Sequence, residues 1–409
     1  MKPRTGTVEM PIEKRANAHS GLVARILERK LSTMARGRIT FHLPNGEFAR
    51  SPGFQPGPNA HIVVHRWRAL SRLWMEGDIG LAAGWIDGDW TSDDVYAVLS
   101  FGLENEEGLA SSFSGSGVAH FFNRMRHGMR RNSRSGSKRN IAAHYDLGNA
   151  FYSHWLDEGM QYSSAIYENP AEDLASAQIR KLERITRMLT LRGGERVLEI
   201  GCGWGAVAEY LAADHDCHVT GITLSKEQAE FARARLSDSG IERQAAIELR
   251  DYRELAESYD RIVSIEMFEA VGMNYWQQYF DTLANSLRQG GNAVLQIITI
   301  DEKYFDQYRR KPDFIQKYIF PGGMLPTKAH LQEGARKAGF VIEEEFCFGD
   351  SYARTLDAWR RNFLDRWDAI KPLGFDDRFR RMWEYYLRYC EAGFNYGTID
   401  VGLYKLVRA

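Results

Sequence analysis

Hydrophobic and polar positions in the second half of the chain follow two alternating patterns. Short apolar runs, typical of buried strands, alternate with longer segments whose apolar residues recur at helical spacing. The runs lie at residues 196–200, 218–222, 246–250, 261–265, 292–298 and 341–347, and the helical segments at 179–189, 207–213, 226–236, 275–287 and 328–338. This alternation predicts an α/β fold built on a doubly wound parallel sheet.

The first of these runs ends in an acidic residue and a glycine-rich turn, VLEIGCGWGA (197–206). Gly201, Gly203 and Gly205 allow the backbone to turn tightly and to approach a ligand closely. A dinucleotide site would favour the spacing GxGxxG. The spacing here is GxGxG after Glu199, a form common in class I S-adenosylmethionine (SAM) methyltransferases, and a purely structural turn is the alternative interpretation.

The loops that follow the predicted strands carry most of the candidate chemistry. In a doubly wound sheet, ligands bind beyond the carboxyl ends of the strands. Residues that follow successive strands are therefore predicted to line one crevice, and they include Glu199 and residues 201–205, 223–225, 251–252 and 266–269.

The N-terminal region has a different pattern, with short strands predicted at 38–42 and 60–64 and helices after them. In the segment GDIGLAAGWIDGDW (77–90), we expect Trp85, Ile86 and Trp90 to be core residues rather than ligand contacts. The predicted organisation is an N-terminal domain at 1–122, a linker at 123–140 and a second domain at 141–409.

The predicted linker is strongly basic, with seven Lys or Arg residues and no acidic residue. Its Ser and Gly content suits an exposed, flexible segment. Two interpretations stay open, a solvated charge run and a contact with anionic lipid headgroups. Nucleic-acid binding is disfavoured because aromatic side chains that could stack on bases are not interleaved with the charges.

Composition narrows the class of protein further. The net charge is −1, so no overall charge directs the chain to nucleic acid or to a membrane. The four cysteines are scattered without metal-ligand spacing, which predicts a reducing compartment and neither a disulfide framework nor a metal site. The N-terminus lacks a secretion signal and no apolar run has membrane-spanning length, so we expect a cytoplasmic protein that reaches any lipid from the membrane surface.

Seven motifs give a more specific resemblance: HYDLGNAFYSHWLDEGMQYSSAIY (144–167), VLEIGCGWG (197–205), GITLSKEQ (221–228), DYRE (251–254), SIEMFEAVG (264–272), YIFPGGMLP (318–326) and FGDSYARTLDAW (348–359). The chain resembles the cyclopropane fatty acid synthase family, strongly over about residues 140–409 and weakly through GWIDGDW. The resemblance implies a class I methyltransferase (Rossmann-like) sheet with helical additions and a smaller α+β, lipid-facing N-terminal domain. It also implies methyl transfer from SAM to double bonds of phospholipid acyl chains, peripheral contact with the inner membrane face and a homodimer.

The resemblance also implies a set of SAM contacts. Glu199 offers an anion to the ammonium group of the cofactor, and Tyr162 can face the sulfonium cation with its ring. The full set comprises Tyr162, Ser163, Glu199, Gly201, Gly203, Gly205, Thr223, Leu224, Ser225, Gln228, Asp251 and Tyr252, the last two bracketing the adenine. A cap or core role is the alternative interpretation for each position.

The predicted catalytic residues include two departures from the family. By resemblance, Ser164, Glu269, Gln296, Ile298 and Tyr352 would hold a bicarbonate that takes a proton from the newly added methyl group. The family has cysteine at Ser164 and histidine at Gln296. Both outcomes stay open: these residues still donate hydrogen bonds to bicarbonate and a ring closes, or the acyl chain loses the proton and a methyl-branched olefin forms. Glu266 is interpreted only as a contact for substrate or SAM.

Aromatic faces are expected to stabilise the cation that follows methyl transfer. The candidates by position are Phe268, Tyr318, Phe320 and Tyr352. From Arg354 onward the pattern predicts helices, which would cover the sheet, line an acyl tunnel, or do both. The resulting hypothesis is a SAM-dependent C-methyltransferase of unsaturated phospholipid acyl chains. The alternatives are a methyltransferase of a soluble small molecule and a non-catalytic lipid-binding protein.

Overall fold

The computed structural model describes residues 21–112 and 147–408. The basic linker at 123–140 and the first residues of the 144–167 motif lie outside the described residues, so the division into two domains there stays a prediction. Of the helices within the two described ranges, none is both long and apolar enough to cross a membrane.

The N-terminal region folds around a small mixed sheet with the strand order β2-β1-β3-β4. Strand β1 pairs antiparallel with β2 and parallel with β3, and β3 pairs antiparallel with β4. Its elements are α1 (Leu22–Leu31), β1 (Arg36–His42), β2 (Phe48–Arg50), β3 (Gln55–Val64), α2 (Arg68–Glu76), α3 (Asp78–Ile86), β4 (Trp90–Thr91), α4 (Val95–Glu104) and α5 (Glu106–Ser112).

The second region contains a seven-stranded sheet with the order β10-β11-β9-β8-β5-β6-β7. Its strands are β5 (Arg196–Ile200), β6 (His218–Thr223), β7 (Ala245–Leu249), β8 (Tyr259–Ile265), β9 (Leu287–Ile300), β10 (Phe340–Cys347) and β11 (Ile399–Arg408). Strands β5 to β9 pair in parallel, and β11 is inserted antiparallel between β9 and β10. The chain reverses direction across the sheet at β5, which has β6 on one side and β8 on the other, and this creates the ligand crevice typical of such folds.

Helices and short turns cover this sheet. They are α6 (Asn149–Ser153), α7 (Leu174–Leu189), α8 (Ala206–His215), α9 (Lys226–Asp238), α10 (Trp276–Ser286), α11 (Glu302–Tyr308), a π-helical turn (Ile315–Ile319), α12 (Lys328–Lys337), α13 (Gly349–Asp365), α14 (Trp367–Ile370) and α15 (Asp377–Tyr396). Polar caps define several helix starts: the side chains of Asp173, Ser225 and Asp376 accept hydrogen bonds from backbone amides in the first turns of α7, α9 and α15.

The sequence pattern predicted most of this architecture. The α/β class and the doubly wound sheet are confirmed, and each of the six predicted strands of the second region is present, β5 with the predicted ends and the other five with shifted ends. Strand β11 was not predicted, because the Trp- and Tyr-rich helical pattern before it was expected to continue. The helical spacing of the segment 179–189 also placed Ile179 on the apolar face of α7, and this was wrong, since Ile179 is 46% exposed.

The two regions meet where α15 packs against α3 and α4. The Trp85 indole nitrogen donates to the backbone oxygen of Arg381 at 2.9 Å, and the Arg381 side chain donates to the backbone oxygen of Ile86 at 3.0 Å. Trp85, Ile86 and Trp90 are all buried, as the sequence predicted. The N-terminal region is thus fastened to the last helix of the chain by packing and by reciprocal hydrogen bonds.

Replacing Trp85, which joins the N-terminal region to α15, should lower the stability of the folded protein. Trp85→Ala removes a buried indole and its hydrogen bond, and we expect a loss of about 3–5 kcal/mol in the free energy of unfolding, measured by urea denaturation. The matched control is Trp67→Ala, because Trp67 is 44% exposed; its effect should stay within about 0.5 kcal/mol. Equal losses in the two variants would contradict the anchoring role.

Candidate active site

The glycine turn after β5 is closely packed at Gly201 and Gly205 and open at Gly203. Gly201, Gly203 and Gly205 all have positive φ angles, 83°, 52° and 86°. A Cβ on Gly205 would lie 2.9 Å from the Cβ of Ala232, and one on Gly201 would lie 3.0 Å from the Cγ of Met267, whereas nothing lies within 4 Å above Gly203. Side chains are therefore excluded at two positions, and the free space over Gly203 fits a ligand held close to the backbone.

Glu199 lies directly before this turn and has an unsatisfied carboxylate. The residue is buried, and its Oε2 atom has no hydrogen-bond partner. Burial raises the pKa of Glu199 to about 8, and the positive charge of Lys181 opposes the shift. A buried carboxylate oxygen without a partner fits an ammonium ligand, which would restore its charge. The role that the sequence predicted for Glu199 toward SAM stays a prediction.

Lys181 is a second buried charge at the site, and the sequence interpretation missed it. Its Nζ atom donates to the Ser163 Oγ atom at 2.7 Å, and burial lowers its pKa to about 8, while the charges of Glu266, Asp157 and Glu199 oppose the change. A signal was available, because Lys181 lies on the buried face of the otherwise amphipathic helix α7. A lysine at an apolar-face position is expected to face a buried carboxylate.

The polar residues at the end of β6 lie at the carboxyl end of the sheet and form hydrogen bonds with each other. The Thr223 hydroxyl bonds the Gln228 side-chain oxygen at 2.9 Å, Ser225 caps α9, and Leu224 is half-buried beside them. These contacts give the predicted SAM residues Thr223, Ser225 and Gln228 a structural role in fixing the loop. A role in binding SAM stays a prediction for each of them.

Asp251 and Tyr252 follow β7 and are also held by neighbours. The Asp251 carboxylate forms an ion pair with Arg253 at 2.6 Å and caps the short turn that begins at Tyr252. The Tyr252 ring packs edge-on against Tyr279, with ring centroids 5.5 Å apart. The two side chains lie beyond the carboxyl end of β7, and their contact with an adenine stays a prediction.

The predicted bicarbonate residues come together, but they surround a side chain of the protein itself. The Ser164 backbone amide and the Gln296 Nε2 atom donate to the Glu266 Oε1 atom at 2.9 and 2.7 Å. The Tyr352 hydroxyl donates to Glu266 Oε2 at 2.6 Å. Glu266, which the sequence interpretation gave only a contact role, is therefore the centre of this cluster.

Glu269 and Ile298 complete the group beside it. The backbone amide of Ile298 donates to Glu269 Oε1 at 2.6 Å, and Glu269 Oε2 has no partner. Burial and the neighbouring charge of Glu266 raise the pKa of Glu269 to about 8. The two carboxyl groups thus share a confined space in which a single negative charge is favoured over two.

A cavity of about 620 Å³ opens onto these carboxyl groups. Its wall combines helices of both regions and is mostly apolar; the apolar lining includes Leu73, Leu81, Leu99, Leu103, Leu109, Ile298 and Leu356. The polar lining includes Glu266, Glu269 and Tyr352, and elsewhere on the wall Asp78, Glu106, Lys311 and Asp313. The volume falls within the range of about 300–1,000 Å³ typical of sites for small organic ligands. Helix α15 contributes Tyr385, Tyr386 and Tyr389, so the C-terminal helices do line this cavity.

The predicted aromatic residues separate into two groups. Phe320 and Tyr352 line the cavity. Phe268 instead packs in the hydrophobic core against Trp276 and Tyr279, and Tyr318 packs against Phe314. Neither Phe268 nor Tyr318 is among the residues that line the cavity. Tyr162 also lines the cavity, and its hydroxyl lies 2.8 Å from that of Tyr386.

Comparison with known proteins gives this site a family context. A family model described as mycolic acid cyclopropane synthetase matches residues 132–403. The tuberculostearic acid methyltransferase UfaA1 of Mycobacterium tuberculosis is 36% identical over 411 residues, which cover 96% of this chain and 92% of the relative. The cyclopropane-fatty-acyl-phospholipid synthase of Escherichia coli is 37% identical over 356 residues, which cover 85% of this chain and 87% of that protein.

Solved structures agree with these sequence relatives. The mycolic acid cyclopropane synthase CmaA1, complexed with SAH and CTAB, superposes with a TM-score of 0.62 at 30% identity, covering 66% of this chain and 97% of that one. The cyclopropane synthase MmaA2 of Mycobacterium tuberculosis gives a TM-score of 0.63 at 31% identity, with 66% and 98% coverage.

The buried carboxyl groups predict how stability depends on pH. The pKa values of Glu199 and Glu269 rise from 4.5 to about 8 on folding, so the folded protein binds more protons than the unfolded chain between these pH values. Stability without ligand should fall as the pH rises from 5 to 8, on the order of a few kcal/mol for each carboxyl group. Lys181 opposes this trend only near pH 8, because its pKa falls from 10.5 to about 8 on folding and the folded protein begins to lose that proton there.

Thermal unfolding of the wild type and of Glu199→Gln across this pH range measures the effect. We expect a shallower dependence in the variant, and a stabilisation by SAM that grows with pH only in the wild type. Glu333→Gln is the matched control, since Glu333 is exposed on α12. Identical slopes in the wild type and Glu199→Gln would show that Glu199 is already ionised in the free protein.

Proposed function

As this chain belongs to the mycolic acid cyclopropane synthetase family of SAM-dependent methyltransferases, we propose that its acceptor is the double bond of an unsaturated acyl chain in a membrane phospholipid. The single observation that carries the proposal is the mostly apolar cavity whose lining includes Glu266, Glu269 and Tyr352. An apolar wall fits a hydrocarbon chain, and a few convergent polar groups at one part of a cavity are typical of a reaction site.

The methyl-donor site supports the same proposal. SAM supplies an electrophilic methyl group on a positively charged sulfur. The open glycine turn and the unpaired carboxylate of Glu199 offer this donor a close backbone and an anion. Met267, which packs against Gly201, is the immediate neighbour of Glu266. The donor site and the carboxylates of the cavity are therefore joined through adjacent residues, as direct transfer requires.

The cavity wall also suits the charge that develops during transfer. An isolated alkene is a weak nucleophile, so the protein must hold it close to the donor and exclude water. Attack on the methyl group leaves a positive charge on the acyl chain. The rings of Tyr162, Phe320 and Tyr352 line the cavity and offer faces that attract a cation without reacting with it.

Isotope labelling tests the acceptor and identifies the product. Purified protein is incubated with vesicles of mono-unsaturated phospholipid and SAM carrying a fully deuterated methyl group, and the fatty acids are analysed by mass spectrometry. We expect labelled acyl chains. Two retained deuterium atoms show that the added methyl group lost the proton, as ring closure requires, and three show that the acyl chain lost it, as formation of a methyl-branched olefin requires. Absence of labelled lipid, with SAM binding intact, would contradict the proposed acceptor and favour a soluble one.

We further propose that the N-terminal region docks on the membrane through α1 and α2. Leu22 on α1 is 68% exposed, and Trp74 and Met75 on α2 are 40% and 49% exposed. The Lys30 ammonium lies 5.5 Å from the centre of the Trp74 ring, so the two helices present apolar and basic groups side by side. Such a surface suits a bilayer with anionic headgroups.

This surface adjoins the cavity. Leu73, next to Trp74, lines the cavity wall. A phospholipid held at the surface would therefore lie near the space proposed for its acyl chain. The location at the inner membrane face, the homodimer and the bound bicarbonate implied by the family resemblance stay predictions. The lipid contact of the basic linker stays one of two open interpretations of its composition.

Charge substitutions in the patch test the docking. Trp74→Glu combined with Met75→Glu should reduce binding to anionic vesicles at least about tenfold in a sedimentation assay, because two apolar side chains are replaced by charges that the headgroups repel. Val341→Glu combined with Leu373→Glu is the matched control, since Val341 and Leu373 are 51% and 45% exposed away from this patch. Equal binding of the two double variants would contradict docking through α1 and α2.

A further inference from the structure

The carboxylate of Glu266 occupies a set of donors that converge from three separate segments. Ser164 follows α6, Gln296 belongs to β9 and Tyr352 belongs to α13. Their donor groups lie 2.9, 2.7 and 2.6 Å from the two carboxylate oxygens. The family resemblance assigned these same three residues to a bound bicarbonate. A side-chain carboxylate has the same planar pair of oxygens and carries the same charge.

The backbone at Glu266 shows that this placement is specific. Its φ angle is 48°, in the left-handed region that favours glycine. A glutamate is strained there, and such strain is retained where the surroundings hold the residue in place. The three donors supply that restraint, and they aim the carboxylate at the cavity that Glu266 lines.

The surrounding charges favour an ionised Glu266 next to a protonated Glu269. Burial raises the pKa of both carboxyl groups. Glu266 is stabilised as an anion by three donors and by the charge of Lys181, whereas Glu269 accepts only the amide of Ile298 and faces the charge of Glu266. The pKa of Tyr352 is well above its usual value, so its hydroxyl keeps its proton and acts as a donor.

We propose that Glu266 is the catalytic base of this enzyme and replaces bicarbonate with a carboxylate of the chain itself. This inference rests on the proposed transfer of a methyl group to an acyl double bond. The alkene electron pair forms the bond to the methyl carbon, and the carbon–sulfur bond breaks with both electrons left on sulfur. Glu266 then accepts a proton from the cationic product. The released C–H pair closes the ring or forms the new double bond.

A structural role for the same contacts makes different predictions. If Glu266 only held the three segments together, an isosteric amide would keep most of the contacts and the activity. If Glu266 is the base, the amide is inactive because it cannot accept the proton. The left-handed backbone at this position also makes glycine a well-tolerated replacement that would open the space for a small anion.

The experiment compares the wild type, Glu266→Gln and Glu266→Gly on mono-unsaturated phospholipid vesicles, in buffer freed of carbon dioxide and in buffer with added bicarbonate. The wild type should methylate lipid equally in both. Glu266→Gln should lose at least about 100-fold in turnover in both. Glu266→Gly should be comparably impaired without bicarbonate and recover at least about tenfold with it. Calorimetry should show unchanged affinity for SAM, which separates loss of the base from loss of the fold.

Two results would overturn the inference while leaving the proposed function intact. One is a wild-type enzyme that methylates lipid only when bicarbonate is present. The other is a Glu266→Gln variant that keeps the wild-type rate. A wild type that binds SAM and labels no lipid in either buffer would instead remove the proposed acceptor on which the inference rests.

Discussion

The burial of ionisable groups away from water is the constraint on which the site depends. Taking a charge out of water costs several kcal/mol unless a partner or hydrogen bonds compensate. Lys181, Glu199, Glu266 and Glu269 meet this requirement to different degrees. Glu266 has three donors, while Glu199 and Glu269 each keep an oxygen without a partner. The incomplete pairing of Glu199 and Glu269 leaves the site able to bind ligands and exchange protons.

The structure offers two separate spaces for ligands, one at the glycine turn and one in the apolar cavity. The glycine turn and Glu199 face the carboxyl end of the parallel sheet, where a charged donor fits. The apolar cavity lies between the sheet region and the N-terminal helices, where a hydrocarbon fits. The segment after β8 separates them, since Met267 contacts the glycine turn and Glu266 contacts the cavity. A cationic donor can therefore stay at the glycine turn while an apolar acceptor stays in the cavity, and the two meet at the segment between them.

Sequence patterns predicted the parts of this structure that are governed by local periodicity. The parallel strands and the glycine turn follow from apolar runs and from the spacing of the glycines. Lys181 was missed because a single polar residue does not disturb the helical pattern of α7. Glu266 was undervalued because its three partners come from segments that are distant in sequence, and only the folded chain brings Ser164 and Tyr352 to it. Strand β11 depends on pairing with β9 and β10, which local pattern does not reveal.

The position of α15 along the chain has a consequence for biosynthesis. This helix ends at Tyr396, contributes to the cavity wall and fastens the N-terminal region through Arg381. Because the ribosome makes α15 after all the other helices of the described residues, the apolar surfaces that face it have no cover until residues 377–396 have been made. A nascent chain that stops before this helix would expose those surfaces to water and to other chains. The cavity wall is therefore incomplete until α15 has been made, and chains truncated before this helix would be expected to aggregate.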